Sequence, residues 1–161
     1  MAKELDPAER NAIDIINRIG WMVMKISPNG GGENPRWFAY TAGLAVTFRW
    51  PKLICFGLDL DVAGGLLNNA VRELQNKAVQ PSSGLELSEV LDGRIVRLRT
   101  FSPGLYREHI GWAIWYADRQ GLTPAQFSCL QLLWPDKSGR FPGDPACDPM
   151  VSEGQATDPT H

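Results

Sequence analysis

The spacing of apolar positions switches between a helical and a strand period along the chain, and it opens with a helical pattern. Asp6 can cap this first helix, Pro7 suits its first position, and Glu9 completes a capping box. Apolar residues then recur at helical spacing until Gly20, which predicts the end of the helix. Trp21–Ile26 lacks a helical period and suits a half-buried pleat, so it predicts a first strand.

The middle of the chain predicts two further strands and a second helix. Trp37–Leu44 forms a long hairpin with the first strand, across the flexible turn Gly30–Gly32. Lys52–Leu58 is almost entirely apolar, which predicts a central strand. Apolar residues over 63–78 keep the helical period, with Asp61 as the predicted cap. This second helix is therefore predicted to face the core.

The C-terminal half predicts a second hairpin, a third helix and a last strand. Leu85–Leu91 and Arg94–Phe101 form the hairpin around the turn Asp92-Gly93. Apolar and aromatic positions at helical spacing extend over about Pro103–Gln120. Phe127–Trp134 has the composition of a strand.

These elements predict an α+β fold, in which a mixed, mainly antiparallel β-sheet of about five to six strands packs with three α-helices. A chain of 161 residues is expected to bury one hydrophobic core. Apolar residues extend to Phe141, whereas the residues after Pro142 are rich in Pro, Gly, Asp, Ser and Thr. The prediction is one α+β domain over residues 1–142 and a flexible, acidic tail over residues 143–161.

Charge and composition exclude several classes of partner. The formal net charge is −2 and no long basic stripe is present, so neither nucleic acid nor an anionic membrane is an expected partner. No stretch approaches the roughly twenty apolar residues of a membrane span, and the N-terminal residues lack the apolar core of a signal peptide. Cys55, Cys129 and Cys147 lack metal-type spacing, which predicts buried thiols and no metal site. A cytoplasmic location is expected.

Few residues carry recognisable chemistry. His109 lies on the apolar stripe of the third predicted helix, which favours a core position over a general base or a surface position. Asn68 interrupts the second predicted helix and shares a face with Arg72, which favours a solvent-exposed polar face. Gly30–Gly32 is followed by neither a lysine-serine pair nor a helix start, which favours a turn over a phosphate loop. No catalytic motif is present in the sequence, and no cofactor is predicted.

The turn after the last predicted strand is the most promising local site. Trp134, Asp136 and Arg140 place a large aromatic ring, a carboxylate and a guanidinium within a few residues. The carboxylate and the guanidinium are predicted to pair and fix the loop, with binding of a partner or ligand as the alternative. Tyr40 and Thr41 carry hydroxyls on a mostly apolar strand, and each needs a hydrogen-bond partner if it is buried.

Four stretches of the sequence carry a family resemblance: Gly20-Trp21 with the strand after it, Phe38–Leu44, Pro51–Leu58 leading to Leu66–Asn68, and Leu130–Asp136 with Gly139–Pro142. In this order and at this approximate spacing they resemble an uncharacterised bacterial family, domain of unknown function 4262. The resemblance covers about residues 13–143.

The resemblance implies one bacterial cytoplasmic domain and no particular activity. Lys52 stands where the family tends to carry an acid, so a role of that acid does not transfer to this chain. A fainter similarity of pattern links the chain to suppressor-of-fused-like domains, which serve as toxin-immunity and adaptor modules, as an analogy of architecture. The positions that the family resemblance singles out are Tyr40, Thr41, Asn68, Trp134, Asp136 and Arg140.

The preferred hypothesis is a non-catalytic binding or interaction module, immunity-like or adaptor-like, with a protein as its partner. The Trp134–Arg140 turn and the Tyr40–Leu44 strand would line its surface. The alternative is a small-molecule-binding protein or an enzyme, with Asp136 as acid or base and Arg140 as anion clamp. Binding of a flavin and a structural role in a larger assembly are lesser hypotheses. The alternative pocket would be lined by Tyr40, Thr41, Asn68, Asp136 and His109.

Overall fold

The part of the chain that the structure describes forms five helices and six strands. The structure is a computed structural model that describes residues 5–27, 37–103, 109–122 and 128–156. The helices are α1 (Pro7–Ile19), α2 (Leu44–Phe48), α3 (Leu60–Lys77), α4 (Gly111–Arg119) and α5 (Pro149–Gln155). The strands are β1 (Met22–Ile26), β2 (Phe38–Ala42), β3 (Lys52–Phe56), β4 (Glu86–Leu91), β5 (Arg94–Thr100) and β6 (Cys129–Leu133).

The six strands form one mixed, mostly antiparallel sheet in the order β1-β2-β3-β6-β5-β4, which confirms the predicted α+β class. β3 pairs with β6 in parallel, and the other neighbouring strands pair antiparallel. β3 and β6 therefore lie at the centre, and every residue of both strands is buried. The central position of β3 agrees with the apolar run that predicted it.

The helix α3 covers one face of the sheet. Asp59 caps it by accepting hydrogen bonds from the backbone N–H groups of Asp61 and Val62, so the predicted cap at Asp61 was wrong. Leu67 and Leu74 on its buried side belong to the cluster that packs against the sheet. The core-facing helix predicted from the apolar period is thus confirmed.

The helices α1 and α4 contribute to the opposite layer. Ile16 of α1 and Tyr116 of α4 pack in one cluster with Phe38 of β2 and Phe56 of β3. α1 begins at the predicted capping box and ends at a glycine in the left-handed conformation, as the sequence predicted. The central strands are therefore enclosed from both sides, which explains their apolar composition.

The strands β4 and β5 form the predicted hairpin, with a register shift inside β4. At the shift, the buried carboxylate of Glu73 accepts hydrogen bonds from the N–H groups of Ser88 at 3.2 Å and Glu89 at 2.6 Å. Asn69 of the same helix donates to the carbonyl of Val90 at 3.2 Å. Side chains of α3 therefore occupy backbone groups along this edge strand, which protects it from pairing with another strand.

The second predicted strand is shorter than expected. The chain leaves β2 at Gly43, whose φ is 102°, and enters the short helix α2 at Leu44. A Cβ on Gly43 would lie 2.7 Å from Cγ2 of Ile16, so glycine also allows α1 to pack closely there. Other parts of the predicted elements lie outside the described residues: the turn Gly30–Gly32, residues 104–108 of the third helix, and Phe127 of the last strand.

The segment after Pro142, whose composition is typical of a flexible tail, contains regular structure within the described residues. It forms turns and the helix α5, which Asp148 caps through the N–H of Met150. Gln155 is fully buried, and the backbone of Gly154 lies against Gly57. A polar segment thus takes a defined structure up to residue 156, because specific contacts with distant residues replace a long apolar stripe.

The cysteines Cys55, Cys129 and Cys147 are buried thiols, as predicted. Burial raises the pKa of Cys55 to about 12, which keeps this thiol protonated and unreactive at neutral pH. Within the described residues, no helix has the length and apolar character needed to cross a membrane.

Candidate functional site

Asp136 organises the turn that follows β6. Its Oδ1 accepts hydrogen bonds from the backbone N–H groups of Arg140 and Ser138, and its Oδ2 accepts one from Asp148, each at 2.9 Å. These bonds, the one from Arg140 foremost, hold the pKa of the Asp136 carboxyl below its usual value. Asp136 therefore ties the turn to the residue that caps α5.

The predicted pairing of the Asp136 carboxylate with the Arg140 guanidinium was wrong. Arg140 gives its backbone N–H to the carboxylate, whereas its Nη1 donates to the carbonyl of Ala146 at 3.3 Å. A short turn presents its N–H groups to an aspartate at its start, so the carboxylate is satisfied locally. The exposed Arg140 side chain instead lines a groove on the surface.

Trp134 is held at both its backbone and its ring. The side-chain amide of Gln155 accepts a hydrogen bond from the Trp134 N–H at 2.9 Å and donates one to the Trp134 carbonyl at 2.8 Å. The Trp134 indole donates to the carbonyl of Phe56 at 2.8 Å. Gln131 of β6 donates to the Gln155 carbonyl at 2.7 Å. Trp134 is thus part of the contact that docks α5 beside the end of β6.

An open groove of about 780 Å³ lies between the β4–β5 hairpin and the loop 135–144; we call it the hairpin–loop groove. Its volume is in the range of small-ligand sites, which is about 300–1,000 Å³. The charged residues that line it are Glu86, Arg94, Arg97, Lys137, Arg140 and Asp144.

Two arginines from β5 are fixed at this groove. Arg94 donates through Nη1 to the carbonyl of Asp136, which joins the hairpin to the loop. Arg97 donates through Nε and Nη2 to one oxygen of Glu86, at 3.1 and 2.7 Å. The Arg97 guanidinium also lies 4.2 Å from the centre of the Phe141 ring. Anchored side chains lose less freedom when a ligand binds, so these arginines are partly preorganised.

Tyr40 and Thr41 are neighbours on β2 and point to opposite faces of the sheet, because side chains alternate along a strand. The backbone N–H groups of Trp112 and Ala113 hydrogen-bond to the buried Tyr40 hydroxyl, whose pKa burial raises to about 12. The Thr41 hydroxyl accepts a hydrogen bond from the Leu53 N–H at 2.9 Å. Both hydroxyls therefore have the partners that burial required.

The remaining predicted positions also have internal contacts. Tyr40–Leu44 is buried along its length, so the expectation that it lines a surface was wrong. Asn68 is half-buried and accepts a hydrogen bond from the Trp21 indole at 2.9 Å, so it does not lie on a fully exposed polar face as predicted. The reason is that α3 packs against the start of β1 at this point, where the indole needs an acceptor.

His109 occupies a core position, as the apolar stripe predicted, with 6% of its surface exposed. Its ring centre lies 5.1 to 5.5 Å from the ring centres of Phe38, Phe56 and Phe101, each in an edge-to-face arrangement. Contacts of this kind are typical of a packed aromatic core.

The sheet separates the members of the predicted pocket. Tyr40 and His109 lie on one side, where both contact Phe38. Thr41 and Asn68 lie toward the α3 side, and Asp136 lies in the turn beyond β6. The structure therefore does not bring these residues together around one cavity.

Several polar residues were not recognised from the sequence as site candidates. Lys52 is buried at the start of β3, opposite Cys129 in the parallel register, and burial lowers its pKa to about 8. The sequence feature that could have identified Lys52 is a charged residue at the start of an otherwise apolar strand. Arg94, Arg97 and Lys137 line the hairpin–loop groove. The positions of the two arginines in the sequence carry no information about the loop that lies beside their strand.

The hairpin–loop groove offers chemistry for binding anions. Cations, two carboxylates and loop backbone line it, and neither histidine nor cysteine is among its described lining residues. In the four described segments, no three His, Cys, Asp or Glu side chains cluster as a metal site requires. Fixed guanidinium groups in a concave surface can hold an anion by charge and directed hydrogen bonds.

Comparison with known proteins adds a family match. A family model described as "Domain of unknown function (DUF4262)" matches residues 15–148. No curated protein and no solved structure gives a significant match. The matched range includes the whole loop 135–144 and ends at Asp148, the cap of α5.

Proposed function

Because the chain belongs to the DUF4262 family, whose description carries no activity, we propose a function from the geometry of the site. The chain is a non-catalytic binding module of the adaptor or immunity type. Its hairpin–loop groove holds an anionic segment of a protein partner.

The observation that carries this proposal is the excess of positive charge in an open groove. Four cationic and two acidic side chains line it, although the whole chain has a formal net charge of −2. One of the acids, Glu86, already forms an ion pair with Arg97 at 2.7 Å. Positive potential in a concave surface attracts anionic partners, speeds their encounter and rejects basic ones.

The site supports binding better than catalysis. Asp136, the residue considered as an acid or base, directs both carboxylate oxygens to backbone N–H groups. Those bonds lower its pKa, so the carboxylate is a weak base and is not a proton donor at neutral pH. The anchored arginines, in contrast, need little reorganisation to receive an anion.

Native mass spectrometry of the protein purified gently from bacterial extract tests the proposal. The informative variant is the double charge reversal Lys137→Glu with Arg140→Glu, which inverts two cations of the groove. The matched control is Arg18→Glu with Arg72→Glu, which makes the same change in net charge at exposed helix positions outside the groove.

A protein that stays bound to the wild type and to the control, but not to the groove variant, is the expected result. Peptide analysis of the bound species then identifies it. Equal retention by all three proteins would contradict the groove as the binding site. A bound small molecule without a protein would contradict the protein partner and favour the small-ligand alternative.

A further inference from the structure

We propose that the anionic group recognised by the hairpin–loop groove is a phosphomonoester dianion. This inference rests on the proposed function, because it names the chemistry of the ligand for the same groove. A phosphorylated side chain of a protein and a small free phosphomonoester carry the same group, and the experiment below separates these two sources.

The charge balance of the groove fits a dianion. Its four cationic side chains exceed its two acidic side chains by two charges. A phosphomonoester carries about −1.5 to −2 charges at neutral pH, so one such group balances the excess. A single aspartate or glutamate carries one negative charge and would leave part of the excess unbalanced.

Arg94 and Arg140 each form a hydrogen bond within the protein and still have guanidinium N–H groups that can bind an anion. Arg94 and Arg140 each use Nη1 for a protein carbonyl, that of Asp136 and that of Ala146. Within the described part of the chain, the Nε and Nη2 groups of both arginines have no protein acceptor. Nε and Nη2 form the side of a guanidinium that makes two parallel hydrogen bonds to an oxyanion.

Arg97 shows the same donor pair in use. Its Nε and Nη2 both donate to the carboxylate of Glu86, and its guanidinium carbon lies 4.2 Å from the centre of the Phe141 ring. The groove thus has one pair already occupied by a protein anion and two pairs that remain open. Lys137 adds an exposed ammonium, which supplies charge without a fixed geometry.

Nitrogen-resolved NMR titrations of the full chain test this inference. One probe is a short peptide with a single phosphoserine, and its controls carry serine or glutamate at that position. A second probe is glycerol 3-phosphate, with glycerol as its control. We expect both phosphate probes to shift the Nε signals of Arg94 and Arg140, with Kd values below about 1 mM.

Variants test whether binding takes place in the groove, and a pH series tests whether the bound group is a dianion. Lys137→Glu and Arg140→Gln should each weaken phosphopeptide binding by about fivefold or more, and Arg72→Glu by less than about twofold. Because the second pKa of a phosphomonoester is about 6, binding should weaken as the pH falls from about 7.5 to 5.5. Folding of each variant is checked from the dispersion of the same spectra.

Each outcome decides the inference. A lower Kd for the phosphoserine peptide than for glycerol 3-phosphate supports a phosphoprotein as the source, and a lower Kd for glycerol 3-phosphate supports a small metabolite. Equal binding of the glutamate and phosphoserine peptides, equal losses in Arg72→Glu and Lys137→Glu, or unchanged groove signals at millimolar phosphate would overturn it. If the phosphate probes fail while the Lys137 and Arg140 charge reversal still releases a co-purified protein, the proposed function stands and the dianion does not.

Discussion

Replacement of Gln155 by alanine is expected to release α5 from the end of β6. The side-chain amide of Gln155 is fully buried, accepts from the Trp134 N–H at 2.9 Å and donates to the Trp134 carbonyl at 2.8 Å. It also donates to the carbonyl of Val151 at 3.3 Å. Gln155→Ala removes these three hydrogen bonds and leaves backbone groups of Trp134 without a protein partner.

The magnitude follows from those contacts. A hydrogen bond contributes about 1 kcal/mol net, and an unsatisfied buried group costs about 1–3 kcal/mol, so we expect a loss of about 3 kcal/mol. If α5 undocks locally at a smaller cost, the loss in global stability is limited to the docking free energy. The rate of hydrogen exchange at the Trp134 amide then rises in proportion to the equilibrium constant for local opening of α5.

Urea unfolding followed by tryptophan fluorescence measures the global change, and hydrogen exchange measures the local one. Gln75→Ala is the control, because Gln75 is exposed on α3 and its replacement should change stability by less than about 0.5 kcal/mol. A Gln155→Ala protein with wild-type stability and wild-type protection at Trp134 would refute the assignment of Gln155 as the residue that docks α5.

Four further substitutions test the packing and electrostatics of the fold. Gly57→Ala should destabilise the protein by more than about 1 kcal/mol in urea unfolding, because φ is 85° and the new Cβ would lie 2.9 Å from the Gly154 carbonyl oxygen. Gly65→Ala, at a helix position with open space, should instead stabilise by up to about 1 kcal/mol. Burial lowers the pKa of Lys52 from 10.5 to about 8, so between pH 8 and 10.5 the unfolded state binds more protons than the folded state. The free energy of unfolding should therefore rise across this pH range. Urea unfolding of Lys52→Met should lack this rise. The pKa of Asp136 is lowered from 3.8 in the folded state, so the ionised carboxylate stabilises the fold above pH 3.8, and this stabilisation is lost as the pH falls through the folded-state pKa. Asp136→Asn should therefore lower the melting temperature at pH 7 and change it less in acid. Calorimetry at the two pH values measures both effects.

Elements with a local cause could be predicted from the sequence. The first helix carries its start signal in Asp6 and Glu9 and its stop signal in Gly20, all within one continuous segment. The β4–β5 hairpin likewise carries its turn, Asp92-Gly93, between two alternating runs. The cap of α3 could not be located in this way, because Asp59 and Asp61 both precede the apolar run and an aspartate at either position can accept from first-turn N–H groups.

Features that depend on distant residues could not be predicted in this way. The segment around α5 has the composition of a mobile tail, and its structure depends on Gln155 meeting Trp134 and on Gly154 meeting Gly57. Neither contact leaves a periodic pattern in the sequence. Tyr40 could not be understood from the sequence either. The family resemblance of the chain singled out this residue, but only the structure shows that backbone N–H groups of α4 hydrogen-bond to its hydroxyl.

The groove and the C-terminal helix are mechanically connected through Asp136. Its carboxylate binds the N–H of Arg140, in the wall of the groove, and the N–H of Asp148, the cap of α5. Its carbonyl binds Arg94 on the opposite side of the groove. Arg94, Arg140 and the cap of α5 therefore share Asp136 as a hydrogen-bond partner. Under the proposed function, an anion bound between Arg94 and Arg140 would be coupled to α5 through this residue, and by the reciprocity of linked equilibria a docked α5 would favour anion binding to the same extent.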